Sequence, residues 1–289
     1  MTSGNVAVPS RHISTRLITP STWAITGVCR TAGQWVVFIA QTFWLLPLTV
    51  GKYRRQTLQQ MNGLAWGRGS LIVDGGVVSV LVILGVAVGA SLAVEAFAVL
   101  NIIGFGALSG IIAGVGAVRV IGPLVGGIAF AAQTGCRMTA EIGSMRIADE
   151  IDAVEVMGLR PIPFVVGTRL VGGLMCVVPG YLVTLVTTFF VMDTVIRIFH
   201  GQPGGTYNHY FVEFLTPRDI AYSVIKVVIY CTAVTVIHCY YGYFVTGGPV
   251  GVGQASGRAV RASLVSIMVL DFITTVTLWG LQPAFVFKG

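Results

Sequence analysis

The sequence predicts an all-α integral membrane protein: an N-terminal interfacial helix, five transmembrane helices and a charged cytoplasmic helix between the second and the third. Of its 289 residues, 55% are hydrophobic and only 10% are charged, whereas a soluble domain carries about 25% charged residues. Apolar runs long enough to cross a bilayer, which takes about 20 helical residues, recur along the chain. One stretch between two of these runs, 137–157, is too densely charged to enter lipid.

The charge and the cysteine content argue against two further classes of protein. A net charge of +7 would point to nucleic acid in a soluble protein, but basic residues in cytoplasmic loops explain it better here, and no nucleic-acid partner is expected. The cysteines are odd in number and none is spaced as CxxC, so neither a disulfide framework nor a metal site is predicted; they are Cys29, Cys136, Cys176, Cys231 and Cys239.

The N-terminal part is predicted to stay out of the bilayer. Residues 1–32 are polar, which predicts a cytoplasmic tail rather than a cleavable signal peptide. A single membrane domain is predicted over 33–289, and it starts with an interfacial helix and a basic segment over 33–62. The apolar run at 35–48 is short for a span and contains polar residues and a proline; a genuine span is the alternative. The cations that follow would bind anionic head groups: Lys52, Arg54 and Arg55.

Long runs with few or no charges predict the five transmembrane helices, at 73–97, 109–135, 163–192, 220–245 and 263–286. The segments 193–219 and 247–258 are predicted to be a polar, aromatic-rich loop and a turn. Lys and Arg are in excess on the side of the charged helix, which predicts a cytoplasmic N-terminus and an extracytoplasmic C-terminus. Three glycine pairs have the GxxxG spacing typical of close helix packing: Gly85 with Gly89, Gly110 with Gly114, and Gly122 with Gly126.

The stretch 137–157 holds five of the eleven acidic residues and two arginines, and its apolar residues recur every three or four positions. This pattern predicts an amphipathic helix at the water surface. The chain has no P-loop of the form GxxxxGK[ST], and so no ATP site of that kind of its own. A charged helix between two transmembrane helices is the form expected of a segment that docks an ATPase. A solvated surface helix without a partner is the alternative.

No catalytic constellation accompanies these features. The sequence has neither HExxH nor GxSxG, so no catalytic residue, metal or cofactor of this chain is expected. Charges inside the bilayer are the other functional candidates, because each is costly unless it meets a partner, a cavity or water. Arg119 lies in the second predicted span and Asp271 in the fifth. Two interpretations stay open: a structural ion pair, for which the two residues are candidate partners of each other, or a polar route for an amphiphilic substrate that one or both would line.

The residues around the charged stretch resemble a known family. The run AEIGSMRIADEIDAVEVMG at 140–158, Ile121-Gly122-Pro123 before it and Arg160-Pro161 after it are similar to the MlaE/YrbE permeases of Mce-type ABC lipid transporters. VLDFITT at 269–275 and GYxxxxGPxGVGxAxxRAVR at 242–261 extend the resemblance, which covers about 35–287 in order. The long N-terminal tail and QTGCRMT at 133–139 resemble the second of two paralogous permeases in actinobacterial Mce systems.

The resemblance implies a multi-pass permease of the plasma (inner) membrane that pairs with a paralogous YrbE-type permease and two copies of a cytoplasmic P-loop ATPase. ATP and Mg would be bound by that ATPase. Mce substrate-binding proteins outside would exchange a lipid with the permease, a fatty acid, a sterol or another lipid, with import favoured. The charged helix, 137–158, would be the coupling helix that seats in the ATPase, through Glu141, Gly143, Met145, Arg146, Glu150, Asp152, Glu155 and Met157.

The lipid cavity of that family lies between two permeases and is formed largely by the first, second and fifth spans. The resemblance therefore implies four substrate-cavity candidates: Arg119, Val120, Pro123 and Asp271. Many relatives have Arg-Glu-Leu-Gly-Pro where this chain has valine at the second position, so a lipid-contact role of that glutamate does not pass to Val120. The competing hypotheses are a gradient-driven secondary lipid transporter, an intramembrane lipid-modifying enzyme and a non-transporting anchor for Mce proteins.

Overall fold

The computed structural model describes residues 20–67, 76–102 and 104–280, and the regular structure of this part of the chain is entirely helical. The described helices are α1 (Pro20–Trp44), α2 (Leu46–Lys52), α3 (Arg54–Trp66), α4 (Val77–Ile102), α5 (Ser109–Ile147), α6 (Glu150–Val156), α7 (Pro163–Ile198), α8 (Gly204–Phe214), α9 (Pro217–Tyr243) and α10 (Gly248–Trp279). Five of them are long and apolar enough to cross a membrane, namely α4, α5, α7, α9 and α10. The predicted fold class, an all-α integral membrane protein, is confirmed.

The N-terminal helices start earlier than the sequence predicted. α1 begins at Pro20, so the segment predicted to be a tail up to residue 32 is helical from that point, and 1–19 lie outside the described residues. The chain divides into two compact units after Ala40 rather than after residue 32. α1 and α2 are separated by a break at Leu45, and together they are long and apolar enough for a broken span or a re-entrant segment. The interfacial helix and the alternative span therefore both stay predictions.

Helices α2 and α3 pack against the start of α7. The buried hydroxyl of Thr49 donates to the carbonyl of Pro163 over 3.3 Å. The Tyr53 ring meets Phe164 edge to face, with 5.5 Å between the ring centres. A Cβ atom at Gly172 would lie 3.2 Å from the backbone nitrogen of Met61, so α3 and α7 approach backbone to backbone. The basic segment is thereby fixed to the third span.

Glycines let α4 and α7 pack equally closely. A Cβ atom at Gly85 would lie 2.9 Å from the carbonyl oxygen of Thr184, and one at Gly89 would lie 2.8 Å from that of Thr188. The Thr188 hydroxyl uses this proximity to donate to the carbonyl of Gly85 over 3.1 Å. Helices in lipid associate through such contacts, because burying apolar surface gains little when the solvent is itself apolar. The packing role predicted for the first glycine pair is confirmed.

Replacing Gly89 with alanine is expected to lower the free energy of unfolding by about 1–3 kcal/mol, because the methyl group would overlap Thr188 and force α4 away from α7. Chemical unfolding in detergent micelles, followed by tryptophan fluorescence, measures the change. Gly257→Ala is the control, since no atom lies within 4 Å of the Cβ position of Gly257 in α10. Equal losses in the two variants would contradict the close packing at Gly89.

The charged stretch is not the single separate helix that was predicted over 137–158. The second span, α5, continues without a break through Cys136 to Ile147, and only α6 is separate from it. No proline interrupts this stretch, and Met138 and Ile142, one turn apart, are both fully buried and hold its inner face. The break comes at Asp149, which has a positive φ of 55°.

Two connecting segments are also more ordered than predicted. The loop predicted over 193–219 contains α8, whose Tyr207 is buried in a core with Ala93, Ala117, Met192 and Ile196. The turn predicted over 247–258 is wrong, because α10 already begins at Gly248. Gly247 and Gly248, with φ of 91° and 68°, complete the turn within two residues. Pro249 then fits the first helical turn.

The remaining span boundaries differ by a few residues. α7 runs on to Ile198, beyond the predicted end at 192, and α9 starts at Pro217 instead of 220. Thr216 caps α9, since its hydroxyl accepts from the backbone N–H of Asp219 over 3.4 Å. The predicted start of the first span at 73 and the end of the fifth at 286 lie outside the described residues.

Candidate functional sites

Five of the eight coupling-helix candidates form one exposed patch, called the α6 surface here: Arg146, Glu150, Asp152, Glu155 and Met157. Two apolar side chains of α6, Ile151 and Val154, are buried and fix the helix to the protein. On its outer side, Arg146 Nη1 and Asp152 Oδ1 are 2.6 Å apart, and Met157 is 67% exposed. Acidic groups next to an exposed methionine suit a partner that offers cations and an apolar groove.

The other three coupling-helix candidates lie on the side of α5 that faces the rest of the protein: Gly143 is buried, and Glu141 and Met145 are partly buried. Glu141 accepts from Arg137 Nε over 2.8 Å and from Arg169 Nη2 over 3.4 Å. Gly143 is buried, and a Cβ atom there would lie 3.0 Å from the Val252 side chain. Met145 is half-buried beside Arg169. All three belong to the helix that continues the second span, and their position on its inner side follows from packing against α7 and α10.

Two ion pairs join α9 to the second and fifth spans. Arg119 Nε of α5 is 3.1 Å from Asp219 Oδ1 of α9, and Lys226 Nζ of α9 is 2.8 Å from Asp271 Oδ1 of α10. Both Arg119 and Asp271 are therefore in structural ion pairs, one of the two interpretations left open, but they do not pair with each other. Each of these residues instead pairs with a residue of α9, which the sequence analysis did not select.

Helix α9 aligns the two missed residues. Asp219, Lys226 and Tyr230 are spaced by seven and four residues, so they form one stripe along the helix. That spacing was the available signal, but the predicted loop 193–219 includes Asp219, and Lys226 lies near the start of the predicted fourth span, where a charge is ordinary. The Tyr230 hydroxyl donates to Asp271 Oδ1 over 2.7 Å. One face of α9 thus joins the second span to the fifth.

Trp279 links the two ion pairs. Its indole Nε1–H donates to Asp219 Oδ1 over 2.7 Å. Its ring centre lies 5.5 Å from Arg119 Cζ and 5.5 Å from Lys226 Nζ, within cation–π range. The group of Arg119, Asp219, Lys226, Asp271 and Trp279 is called the charged cluster here. It has two cations and two anions, so its net charge is balanced.

Pro123 explains why Lys226 reaches α5. Proline has no backbone N–H, so the carbonyl four residues earlier, that of Arg119, receives no helical hydrogen bond from it. Lys226 Nζ donates to this carbonyl over 2.8 Å. Residues Ile112–Ile121, just before the proline, form a wider π-helical segment, a feature found often at functional sites. Arg119 therefore lies on an irregular part of the second span.

The four cavity candidates do not share one environment. Lys226 connects Arg119 and Asp271, and Pro123 is buried next to them. The side chain of Val120 is 44% exposed on the outside of the chain. It belongs to an apolar outer surface, and the charged cluster lies on another face of α5.

Similarity to known proteins agrees with this arrangement. The model of the family described as permease MlaE matches residues 69–277, which include all five spans in whole or nearly whole, the α6 surface and most of the charged cluster. The chain belongs to the MlaE permease family. The intermembrane phospholipid transport system permease protein MlaE of Haemophilus influenzae is 27% identical over 209 residues, 71% of this chain and 80% of that protein.

Two other MlaE-like relatives match over a shorter region. A probable ABC transporter permease protein of Rickettsia prowazekii is 26% identical over 166 residues, 54% of this chain and 61% of that protein. The chloroplastic protein TRIGALACTOSYLDIACYLGLYCEROL 1 of Arabidopsis thaliana is 28% identical over 163 residues, 54% of this chain and 44% of that protein. The matched region thus spans less than two thirds of the length of each of these two relatives.

Proposed function

We propose that this chain is the transmembrane permease subunit of an ATP-driven Mce-type lipid transporter. The observation that carries the proposal is the continuity of α5: one helix runs from Ser109, past Arg119, to Ile147 beside the α6 surface. A partner that moves the α6 surface would move the second span with it. The names of the Haemophilus and Rickettsia relatives, a phospholipid transport permease and an ABC transporter permease, support the same function.

The mechanism needs two conformations that bind lipid differently. In the proposal, two copies of a cytoplasmic P-loop ATPase bind ATP and Mg, close, and draw together the α6 surfaces of this chain and of a paralogous permease. The second spans then shift, and an apolar cavity between the permeases opens or closes towards Mce proteins outside. The chain supplies no catalytic residue. Its N-terminus would be cytoplasmic, its C-terminus extracytoplasmic, and the cargo a fatty acid, sterol or other lipid moving inwards.

Affinity purification of the full chain from its native membrane in mild detergent, with mass spectrometry of the proteins that come with it, tests the proposal. The expected result is a P-loop ATPase, a second MlaE-family permease and Mce proteins. Recovery of the chain alone, together with lipid uptake that depends on an ion gradient, would overturn the proposal in favour of a secondary transporter. Such a transporter would have to use the buried charges of the charged cluster.

Substituting Val120→Glu is expected to lower lipid uptake by about tenfold or more, because it places an uncompensated carboxylate on an apolar outer surface within the bilayer. Uptake of a radiolabelled fatty acid or sterol by cells, at equal amounts of inserted protein, measures the effect. Val120→Leu keeps the surface apolar and is the control. Unchanged uptake in the glutamate variant would show that Val120 does not face the lipid path or the second permease.

A further inference from the structure

A second polar site lies away from the charged cluster. A cavity of about 430 Å³ opens between α3, the end of α5 and the start of α7. Its wall carries two arginines, one glutamate and three glutamines: Arg137, Arg169, Glu141, Gln56, Gln59 and Gln60. It lies on the same side of the membrane domain as the basic segment at Lys52, Arg54 and Arg55, since α3 contributes to both.

The charges of this cavity do not balance. Among the described residues Glu141 is the one carboxylate on its wall, and it is shared by both guanidinium groups, at 2.8 Å from Arg137 Nε and 3.4 Å from Arg169 Nη2. Arg169 is only 4% exposed, and its Nε–H has no acceptor in the described part of the chain. A buried cation in excess is costly unless an anion joins it. One positive charge is therefore left over in a polar, partly enclosed space.

The chemistry of the wall favours a phosphate group. Guanidinium groups bind phosphate oxygens with strong, directional hydrogen bonds, and glutamine amides add neutral donors. The volume is that of a small-molecule site, which typically has about 300–1,000 Å³, and is larger than a single acidic side chain needs. α3 also exposes Leu58 and Trp66 besides Arg54 and Arg55, as expected of a helix that lies at a lipid surface.

We propose that this cavity binds the phosphate of an anionic phospholipid of the surrounding leaflet and thereby ties α3 to the second and third spans. The lipid is a resident ligand, distinct from any transported cargo, and the proposal does not rest on the proposed function. Arg137 holds the key position, because it contacts both Glu141 and the carbonyl of Gly63 in α3, the latter over 3.0 Å. A phosphate bound to Arg137 and Arg169 would strengthen this link between α3, α5 and α7.

Native mass spectrometry of the purified full chain, with the subunits that accompany it, tests the site with phosphatidylglycerol and phosphatidylcholine as probes. Wild-type protein is expected to retain one phosphatidylglycerol with at least about tenfold preference. Arg137→Gln should abolish the preference. Gln59→Glu should do the same while keeping every ion pair, and Gln59 is exposed, so that variant folds normally. Arg258→Gln, which removes an exposed cation outside the cavity, should leave the preference unchanged.

Three outcomes would overturn the inference. Equal losses in the Arg137 and Arg258 variants would indicate diffuse attraction to the surface. If inorganic phosphate or glycerol 3-phosphate, without lipid, protected the protein against thermal unfolding as strongly as phosphatidylglycerol does, the ligand would be a soluble phosphate compound. Retained phosphatidylglycerol in the Gln59 and Arg137 variants, with loss of a co-purifying subunit, would show that the cavity receives an acidic side chain of a protein partner. If the Arg137 and Gln59 variants lose the preference for phosphatidylglycerol and keep all co-purifying subunits, the inference is supported.

Discussion

Replacing Lys226 with methionine is expected to lower the free energy of unfolding by about 3–5 kcal/mol, because it leaves Asp271, whose side chain is only 16% exposed, without its cation inside the membrane domain. Lys226 is fully buried, and its ammonium group contacts Asp271, the Arg119 carbonyl and the Thr275 hydroxyl, all within 2.9 Å. Loss of this group also removes the hydrogen bond to the carbonyl of Arg119, four residues before Pro123. Chemical unfolding in detergent micelles measures the change.

The double variant Lys226→Met with Asp271→Leu separates the ion pair from its surroundings. Since both charges are then removed, most of the lost stability should return, as is seen when buried ion pairs are replaced by apolar residues. Arg218→Met, which removes an exposed cation from the same helix, should change stability by less than about 0.5 kcal/mol. A Lys226 variant as stable as the Arg218 variant would contradict the ion pair.

Charge reversal on the α6 surface is expected to separate the chain from its proposed ATPase. Glu150→Lys with Asp152→Lys places two cations where the proposed partner offers cations, so co-purification of the ATPase and ATP-dependent lipid uptake should fall by about 100-fold. The protein should still fold and insert. The Arg146–Asp152 pair is exposed, and such pairs contribute only about 0–1 kcal/mol to stability.

Quantitative pull-down of the ATPase, at equal amounts of inserted permease, checks this result. Glu213→Lys is the matched control, because Glu213 is an exposed acidic residue of α8, on the predicted opposite side of the membrane. Reversal there should leave ATPase binding unchanged. If ATPase binding survives the reversal at Glu150 and Asp152, the α6 surface belongs to a solvated surface helix without that partner, the alternative that the sequence left open.

The sequence predicted the spans well because their formation depends on composition. A helix forms and crosses lipid wherever about 20 residues in a row lack charge, and this property needs no knowledge of neighbours. Sequence reasoning failed at 247–258, where five glycines and one serine among twelve residues suggested a turn. Packing decides there: Gly251 is buried, and the next side chain, Val252, lies 3.0 Å from the Cβ position of Gly143 in α5.

The functional residues were predictable only in part. Arg119 and Asp271 stood out, because a charge in an apolar run is visible in the sequence. Their partners, Asp219 and Lys226, lie near the start of a span, where charges are ordinary. The coupling-helix candidates were chosen by motif, which cannot distinguish the exposed α6 surface from the less exposed positions of Glu141, Gly143 and Met145.

The sequence alone determined that this is an all-α membrane protein with five spans, a charged stretch between the second and third, and two charges deep within apolar runs. These follow from the free energy of transferring each residue into lipid, which is a local quantity. Only the tertiary structure decided that the charged stretch continues the second span up to Ile147, and that Arg119 pairs with Asp219 rather than Asp271. Pairing between helices depends on their rotation and their height relative to one another, and the packing of the whole bundle sets both.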